Sequence, residues 1–220
     1  GLDHRGGYRG GKLDGVLGLD ELSTLTGAIA VSDTSRAGGE RVGGALLGFG
    51  LQRSERFGAL ELGGSVTTRG YRSENGFLSR ADRAQFGGEA STRFEPKTKD
   101  VNSASAGFWW GSSLSDLAGA AHPDMAEIGA YSQISLSSVT SVQGWTEAWS
   151  TRYLGKRFEG VLTGVELANA RFDFLSFEVD AFFGDTLRYS DATKTLARGL
   201  QVQVALRAWR RIKLDLGWEF

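Results

Sequence analysis

Hydrophobic and polar residues alternate with a period of two along most of the chain, most clearly near its C-terminus. From Leu200, apolar residues recur at every second position as far as Ala208, and most of the residues between them are polar. Successive side chains of a β-strand point to opposite faces, so this alternation predicts strands with one apolar and one polar face. It does not fit an amphipathic helix, whose period is about 3.6 residues.

About twelve segments of the chain show this alternation. They span residues 12–20, 23–33, 41–53, 56–70, 83–95, 100–112, 126–138, 140–154, 156–168, 171–184, 195–208 and 210–220. Most reach the roughly 9–11 residues that a tilted transmembrane strand needs, whereas soluble strands average about 5–6. The predicted fold class is therefore all-β: a single antiparallel transmembrane β-barrel of about twelve strands, with about ten or fourteen as alternatives. The competing interpretation is a soluble all-β protein with one wetted face.

Composition adds two points to this picture. The 32 glycines would weaken an ordinary sheet, but a closed sheet that bends and packs closely tolerates them more easily. No apolar run approaches the roughly 18 residues of a transmembrane helix, so a membrane-spanning form of this chain must be a closed barrel. We expect residues 12–220 to form the barrel domain and residues 1–11 a flexible N-terminal segment of a mature chain without its export signal.

Charge and residue usage exclude several classes of function. A net charge of −1 provides no basic face of the kind that binds nucleic acid. Because cysteine is absent, a disulfide framework, a zinc–thiolate site and a thiol nucleophile are excluded. The histidines and carboxylates show neither zinc-site nor EF-hand spacing, so no metal and no cofactor is predicted.

The end of the chain, Leu214-Asp215-Leu216-Gly217-Trp218-Glu219-Phe220, resembles the C-terminal assembly signal of Gram-negative outer-membrane β-barrels. In that family, apolar residues alternate, an aromatic residue stands two positions before the end, and the last residue is phenylalanine. Leu214, Leu216, Trp218 and Phe220 occupy these positions, although tyrosine is commoner than tryptophan where Trp218 stands. The resemblance implies a place in the outer membrane, with lipid, lipopolysaccharide and the barrel-assembly machinery as partners.

A second, local resemblance is to the large barrels of fimbrial ushers and of exopolysaccharide exporters. It rests on Leu25-Thr26-Gly27-Ala28, on Gly43-Gly44-Ala45, and on Phe57-Gly58-Ala59-Leu60 leading to Val66-Thr67. An usher barrel is much larger than this chain allows. The resemblance therefore implies barrel strands rather than usher activity.

Charged residues recur on the polar side of the predicted strands and would point into the lumen of a barrel. They are Glu61, Arg69, Arg83, Glu89, Arg93, Glu127, Glu178, Asp180, Arg207, Lys213, Asp215 and Glu219. They would either form ion pairs that brace a narrow barrel or line a hydrated channel and set its selectivity. A barrel of about twelve strands is wider than the eight-stranded barrels that side chains can fill, which favours the channel.

One histidine is a candidate catalytic residue. His122 lies in a predicted connection, and its neighbours in sequence include Ser113, Ser115, Asp116 and Asp124. Some outer-membrane hydrolases place a histidine with acid and serine groups at the rim of a barrel. The alternative is a solvated loop histidine beside the turn residue Pro123, because nearness in sequence does not establish a triad.

The leading hypothesis is a passage through the outer membrane: a pore, or the membrane part of an exporter that moves solute or polymer. Partner subunits in the periplasm or the outer membrane are compatible with that role. Two alternatives stay open, a barrel-rim hydrolase that uses His122 and a structural or partner-docking barrel with a sealed lumen. A role other than an enzyme is favoured, because only His122 suggests catalysis.

Overall fold

The computed structural model describes residues 8–35, 41–71, 82–96, 98–117, 119, 121–172, 175–207 and 213–219. These residues form twelve β-strands. The strands are β1 (Tyr8–Gly18), β2 (Ser23–Ser35), β3 (Arg41–Glu55), β4 (Gly58–Thr67), β5 (Arg83–Phe94), β6 (Val101–Ser115), β7 (His122–Leu136), β8 (Thr140–Tyr153), β9 (Lys156–Phe172), β10 (Leu175–Arg188), β11 (Thr193–Arg207) and β12 (Lys213–Glu219). No helix that could cross a membrane is present in the described part of the chain.

All twelve strands belong to one sheet and lie in the order in which they occur in the chain. The strand pairs with a defined register are antiparallel, as expected when short connections join neighbouring strands. The predicted all-β antiparallel fold is therefore confirmed. Within the described residues, β1 and β12 are the two edges of an open sheet, so closure into a barrel stays a prediction.

The strand bounds follow the predicted segments closely, with the largest differences at β1, β7, β9 and β10. β1 begins earlier than predicted, because Tyr8 already pairs with Thr34 of β2. β7 begins at His122, so the prediction that this histidine lies in a connection was wrong. β10 is displaced towards the C-terminus, because the preceding strand continues as far as Phe172 and takes up residues predicted for β10.

The chain divides into two compact units. The first comprises residues 1–55, 59–89 and 111–126, and the second comprises residues 56–58, 90–110 and 127–220. The division passes through β4, β5, β6 and β7, so the strands that lie wholly within one unit are β1 to β3 in the first unit and β8 to β12 in the second.

In the first unit, the exposed face of the sheet is the apolar one. Ile29 of β2 lies between Leu13 of β1 and Leu47 of β3, and Ile29 is 50% exposed. Ala30 points to the other face and is only 7% exposed. Ser32, on the same face as Ala30, is buried as well. Small and polar side chains thus occupy the more buried face, while large aliphatic side chains lie outside.

The second unit shows the same division between its faces. Val142, Leu167, Val179 and Val202 are successive register partners on β8 to β11, and they form an apolar row across four strands. Residues next to them in the sequence form a polar row on the opposite face, for example Gln143 after Val142 and Asp180 after Val179. The alternation in the sequence therefore continues across strands, because register partners share a face.

Gly184 allows β10 to approach β9 closely. Its φ of +156° lies in a region that residues with a side chain rarely adopt. A Cβ atom at this position would lie 2.6 Å from the Cα of Leu162 and would also collide with the carbonyl oxygen of Val161. The backbone on both sides is held in place, because the Val161 N–H donates to Oδ2 of Asp185 at 3.2 Å.

We expect Gly184→Ala to lower the free energy of unfolding by about 1–3 kcal/mol, because the backbone conformation and the approach of β9 both exclude a methyl group. Gly144→Ala on β8 is the matched control, since a Cβ there meets no atom within 4 Å. It should be neutral or stabilising by up to about 1 kcal/mol. Equilibrium urea unfolding, followed by tryptophan fluorescence, measures both. Equal effects of the two substitutions would contradict the steric argument.

The connection between β10 and β11 is fixed by a carboxylate. Nε of Arg188 donates to Oδ1 of Asp191 at 2.9 Å, and the hydroxyl of Thr193 donates to the same oxygen at 2.8 Å. These hydrogen bonds, that from Arg188 foremost, lower the pKa of the Asp191 carboxyl from 3.8 to about 2. Ala192 follows with a positive φ of 51°, which lets the chain turn back into β11.

Since the folded pKa of Asp191 is depressed, its contribution to stability is present above pH 3.8 and is lost as the pH falls towards about 2. Arg188→Gln should raise the titration midpoint of this carboxyl from about 2 towards 3.8, and Thr193→Val should raise it by a smaller amount. NMR titration of the side-chain carboxyl carbon gives the midpoint. A midpoint that neither substitution moves would mean that these hydrogen bonds do not persist in solution.

Candidate functional site

Two neighbouring rows of residues cross the polar face of the second unit. The first, which we call the acidic row, consists of Gln143, Glu166, Asp180 and Gln201 on β8, β9, β10 and β11. The second, which we call the aromatic row, consists of Trp145, Gly164, Phe182 and Gly199 on the same strands. Members of the two rows on one strand are two residues apart. They therefore share a face, at a separation of about 7 Å.

The aromatic row is built from rings that cover glycines. A Cβ atom on Gly164 would lie 2.6 Å from Cε2 and from Cζ2 of Trp145 and 2.7 Å from Nε1. Nε1, Cε2 and Cζ2 are consecutive atoms of the indole, so this edge of the Trp145 ring occupies the space beside Gly164. The ring of Phe182 likewise contacts Gly199, through Cε1 and Cζ. A side chain at either glycine would displace the ring above it.

The same contact recurs elsewhere in the second unit. The ring of Trp149 covers Gly160, and its indole Nε1–H donates to the carbonyl oxygen of Asp185 at 3.1 Å. A reciprocal arrangement joins β6 and β7: Trp109 covers Gly129, and Tyr131 covers Gly107. The centroids of these two rings are 6.3 Å apart, within the range of a favourable aromatic pair. Glycine thus provides the space that these large rings occupy beside the backbone.

Three carboxylates meet beside the aromatic row. Glu166, Glu178 and Asp180 each place an oxygen within 4.8 Å of the others. Glu166 and Asp180 are direct register partners, and like charges directly opposite each other destabilise a sheet. The structure describes all eight residues of the acidic and aromatic rows, and none of them is a lysine or an arginine. This part of the polar face therefore carries a concentrated negative charge.

Sequence reasoning found part of this group. Glu178 and Asp180 were predicted to line the polar side, and the structure brings them together. Glu166 was missed, because only the register between β9 and β10 shows that it faces Asp180. Trp145 and Trp149 share a face with Glu147, as the alternation predicts, and the register of β8 places all three on the polar face.

Two of the predicted charges of the first unit, Arg69 and Arg83, are engaged in contacts with polar side chains. Arg69 lies in the turn after β4 and pairs with Asp116 at 3.2 Å and with Asp82 at 3.5 Å. Nη2 of Arg83 donates to the hydroxyl of Ser113 at 2.7 Å, and Ser113 is almost completely buried. Their contacts agree with bracing rather than with a charged lining, since each arginine has a polar partner.

The other predicted positions are distributed over several strands. Glu61 accepts a hydrogen bond from Nε2 of Gln52 at 2.9 Å, and Nε of Arg93 pairs with Glu95 at 3.3 Å. Glu89 and Glu127 occupy partly exposed positions on β5 and β7. The contacts of Glu61 and Arg93 agree with the bracing interpretation of the charged residues.

The last strand carries most of the predicted assembly signal. In register, Leu214, Leu216 and Trp218 of β12 lie opposite Leu206, Val204 and Val202 of β11. Their apolar positions therefore continue the apolar face of the neighbouring strand. The predicted lumen positions alternate with them: Lys213 lies opposite Arg207, and Asp215 lies opposite Ala205. Phe220 lies outside the described residues.

His122 does not form the hydrogen bond expected of a triad histidine. Its Nδ1 is buried and has no hydrogen-bond partner among the described residues, whereas a triad histidine donates from this nitrogen to a carboxylate. Ser113 is bonded to Arg83, and Asp116 is paired with Arg69. The arrangement thus gives little support to a catalytic role for His122.

Comparison of the chain with protein-family models, with curated proteins and with solved structures finds no match. Function must therefore be inferred from the arrangement of the residues. The two rows offer carboxylate oxygens, amide groups and aromatic faces on one surface. Such groups bind water, cations and ring-bearing solutes through hydrogen bonds, charge and stacking. They suit recognition or passage of a solute better than covalent chemistry.

We expect Glu166→Gln to raise the free energy of unfolding at pH 7 by about 0.2–1 kcal/mol, because it removes the like charge opposite Asp180. Glu159→Gln on the same strand is the control. It removes an exposed ion pair with Arg157, whose Nε lies 2.9 Å from the carboxylate, and should cost at most about 1 kcal/mol. Urea unfolding of both variants decides the matter. A destabilising Glu166→Gln would show that this carboxylate is compensated in the folded chain.

Proposed function

We propose that the chain closes into a twelve-stranded barrel in the outer membrane of a Gram-negative bacterium and passes solute or polymer through a polar lumen. The observation that carries this proposal is the distribution of exposure. In the described part of the chain, the buried apolar residues are only Ala30, Ala84 and Leu187, while many leucines, isoleucines, valines and phenylalanines are exposed.

This distribution is the inverse of that in a soluble protein. Water-soluble folds bury their large aliphatic side chains, since each gains about 1.5–3 kcal/mol on leaving water. Here Phe49, Val161 and Val165 are about half exposed, whereas Ser32, Thr67 and Ser113 are buried. A continuous apolar surface of this kind is stable only when lipid or a partner covers it. Lipid is the covering that fits alternating apolar positions on many long strands.

A membrane also provides the reason for closure. The backbone groups along the free edges of β1 and β12 have no water to bond within lipid, so an open sheet is excluded there. Pairing of β1 with β12 removes both edges. Nearest-neighbour order across all twelve strands supports this step, because an up-and-down sheet needs only one further strand pair to close.

The polar face supports a passage rather than a filled interior. A barrel of twelve strands is wider than one of eight, whose interior side chains can fill. The acidic row of the second unit would then lie on the wall of a hydrated lumen. Glu127 and Glu147, further acidic residues on polar-face positions of β7 and β8, extend that charge. Lining carboxylates favour the entry of cations over anions.

The last strand supports the proposed assembly in the outer membrane. The alternating residues Leu214, Leu216 and Trp218 continue the apolar face of β11, as an assembly signal in the outermost strand requires. We therefore include the barrel-assembly machinery, outer-membrane lipid and lipopolysaccharide among the proposed partners. A sealed barrel that docks partner subunits is the alternative that the same architecture allows.

Neighbouring residues of β8 provide a direct test of membrane insertion. The chain has no cysteine, so Val142→Cys on the apolar face and Gln143→Cys on the polar face each introduce a single thiol. In phosphatidylcholine vesicles, a charged maleimide should label Gln143→Cys at least tenfold faster than Val142→Cys. After unfolding in sodium dodecyl sulfate, the two rates should be equal. Equal rates in vesicles would overturn the proposed insertion.

Planar-bilayer recordings of the same two variants test the passage. We expect stepwise conductance that falls when the maleimide reacts with Gln143→Cys and does not change when Val142→Cys receives the reagent. A chain that shows the labelling difference but conducts no current would overturn the pore and support a sealed, partner-docking barrel.

A further inference from the structure

The apolar face of the β8–β9 hairpin ends in two arginines that lie directly opposite each other. Arg152 and Arg157 are register partners, so their Cβ atoms are about 4.5–5.5 Å apart. Arg152 shares a face with Val142, and Arg157 shares it with Leu167, because an even number of positions separates the members of each pair. Both arginines are exposed. Like charges directly opposite each other destabilise a sheet, and an anion bound between them would remove that repulsion.

The two arginines lie where the headgroups of a covering lipid layer would begin. Between Val142 and Arg152, the positions of β8 on the apolar face are uncharged: Gly144, Thr146, Ala148 and Ser150. This stretch extends about 33 Å, at about 3.3 Å per residue. In a strand tilted by about 40°, that length spans about 25 Å of depth, which is the height of the apolar band of an outer-membrane barrel. A charge that faces lipid is costly within this band but costs little at its boundary.

Side-chain contacts hold one of these arginines in place and leave the other free. Nε of Arg157 donates to Oγ of Ser150 at 2.9 Å and lies 2.9 Å from Oε1 of Glu159. Both contacts use Nε, so the outer N–H groups of this guanidinium stay available for a further acceptor. Among the described residues, Arg152 has neither an ion-pair partner nor a hydrogen-bond partner. Because Glu159 balances the charge of Arg157, the pair carries one positive charge in excess.

We propose that Arg152 and Arg157 together bind the phosphate of an anionic phospholipid whose acyl chains lie along the apolar face. A guanidinium can donate two parallel hydrogen bonds to phosphate oxygens. Val161 and Val165 follow on the same face of β9 and are each about half exposed, so they offer contact to the acyl chains. This inference deepens the proposed function by naming a lipid class and its site, and it rests on that function for the lipid that covers this face.

Charge complementarity selects this lipid over others. Phosphatidylcholine has no net charge, and its quaternary amine would be repelled by the uncompensated Arg152. Lipid A carries two phosphate monoesters, whose charge exceeds the single positive charge in excess at this hairpin. A phosphate diester with one negative charge matches that excess. A free phosphate ion would gain nothing from the apolar positions of β9, whereas a phospholipid uses both kinds of contact.

Phosphatidylglycerol and phosphatidylcholine with identical acyl chains are the probes for the test. Native mass spectrometry of the chain, refolded in an uncharged maltoside detergent, should show phosphatidylglycerol binding about tenfold more tightly. Arg152→Gln and Arg157→Gln should each weaken its binding by about fivefold, because each removes one cation from the phosphate. Arg152→Lys, which keeps the charge without the planar fork, should lose less. Lys156→Gln and Arg198→Gln are controls and should bind phosphatidylglycerol like the parent chain.

The two controls remove a cation without touching the proposed site. Lys156 belongs to the same hairpin but lies on the polar face, as the register partner of Tyr153. Arg198 lies on the apolar face but on β11, opposite Phe183 of β10. A loss in Lys156→Gln as large as that in Arg152→Gln would overturn the assignment to the apolar face, and an equal loss in Arg198→Gln would overturn its assignment to this hairpin. Folding of each variant is checked by its β-sheet circular dichroism.

The remaining outcomes separate this inference from the proposed function. Equal binding of the two phospholipids would overturn the role of charge, and tighter binding of lipid A than of phosphatidylglycerol would overturn the choice of a phosphate diester. Maleimide labelling of Val142→Cys and Gln143→Cys reports membrane insertion independently. A labelling difference without a preference for phosphatidylglycerol would therefore overturn this inference alone. A preference without a labelling difference would support the site and overturn only the proposed insertion.

Discussion

Hydrogen bonding between strands that are consecutive in the chain is the constraint on which the rest of this structure depends. Because each strand pairs with the next, register is set by the short connections, and a shift of one residue would move every side chain to the other face. The registers of β8 to β11 keep Val142, Leu167, Val179 and Val202 in one row. The division into an apolar and a polar face, and with it each functional argument, follows from that alignment.

Glycine has a positive role in this sheet. In a flat sheet it only removes a side chain and weakens the strand. Here Gly164, Gly199 and Gly160 leave space beside the backbone, and an aromatic ring from the neighbouring strand occupies it in each case. Buried apolar contact between a ring and the backbone replaces the side-chain contact that glycine cannot make. The high glycine content and the tryptophans of the second unit are thus two parts of one arrangement.

The sequence predicted the architecture well, because alternation is a local signal. Most strand bounds follow from where the alternation stops, as the agreement between the predicted segment 83–95 and β5 (Arg83–Phe94) illustrates. The candidate site was less predictable. Glu166 and Asp180 are far apart in sequence, and their meeting depends on the length of the β9–β10 connection and on the irregular register near Leu175. Alternation identifies the face of a residue but not its partner on the next strand.

Repulsion within the acidic row bears on why such a row exists. A sheet selected for stability alone would place opposite charges, or a charge and an amide, at facing positions. Glu166 lies between Gln143 and Asp180, so one of its two register partners already satisfies that rule and the other does not. The aromatic row beside it lacks charge and cannot compensate. Residues that lower stability in this way are characteristic of functional or strained sites.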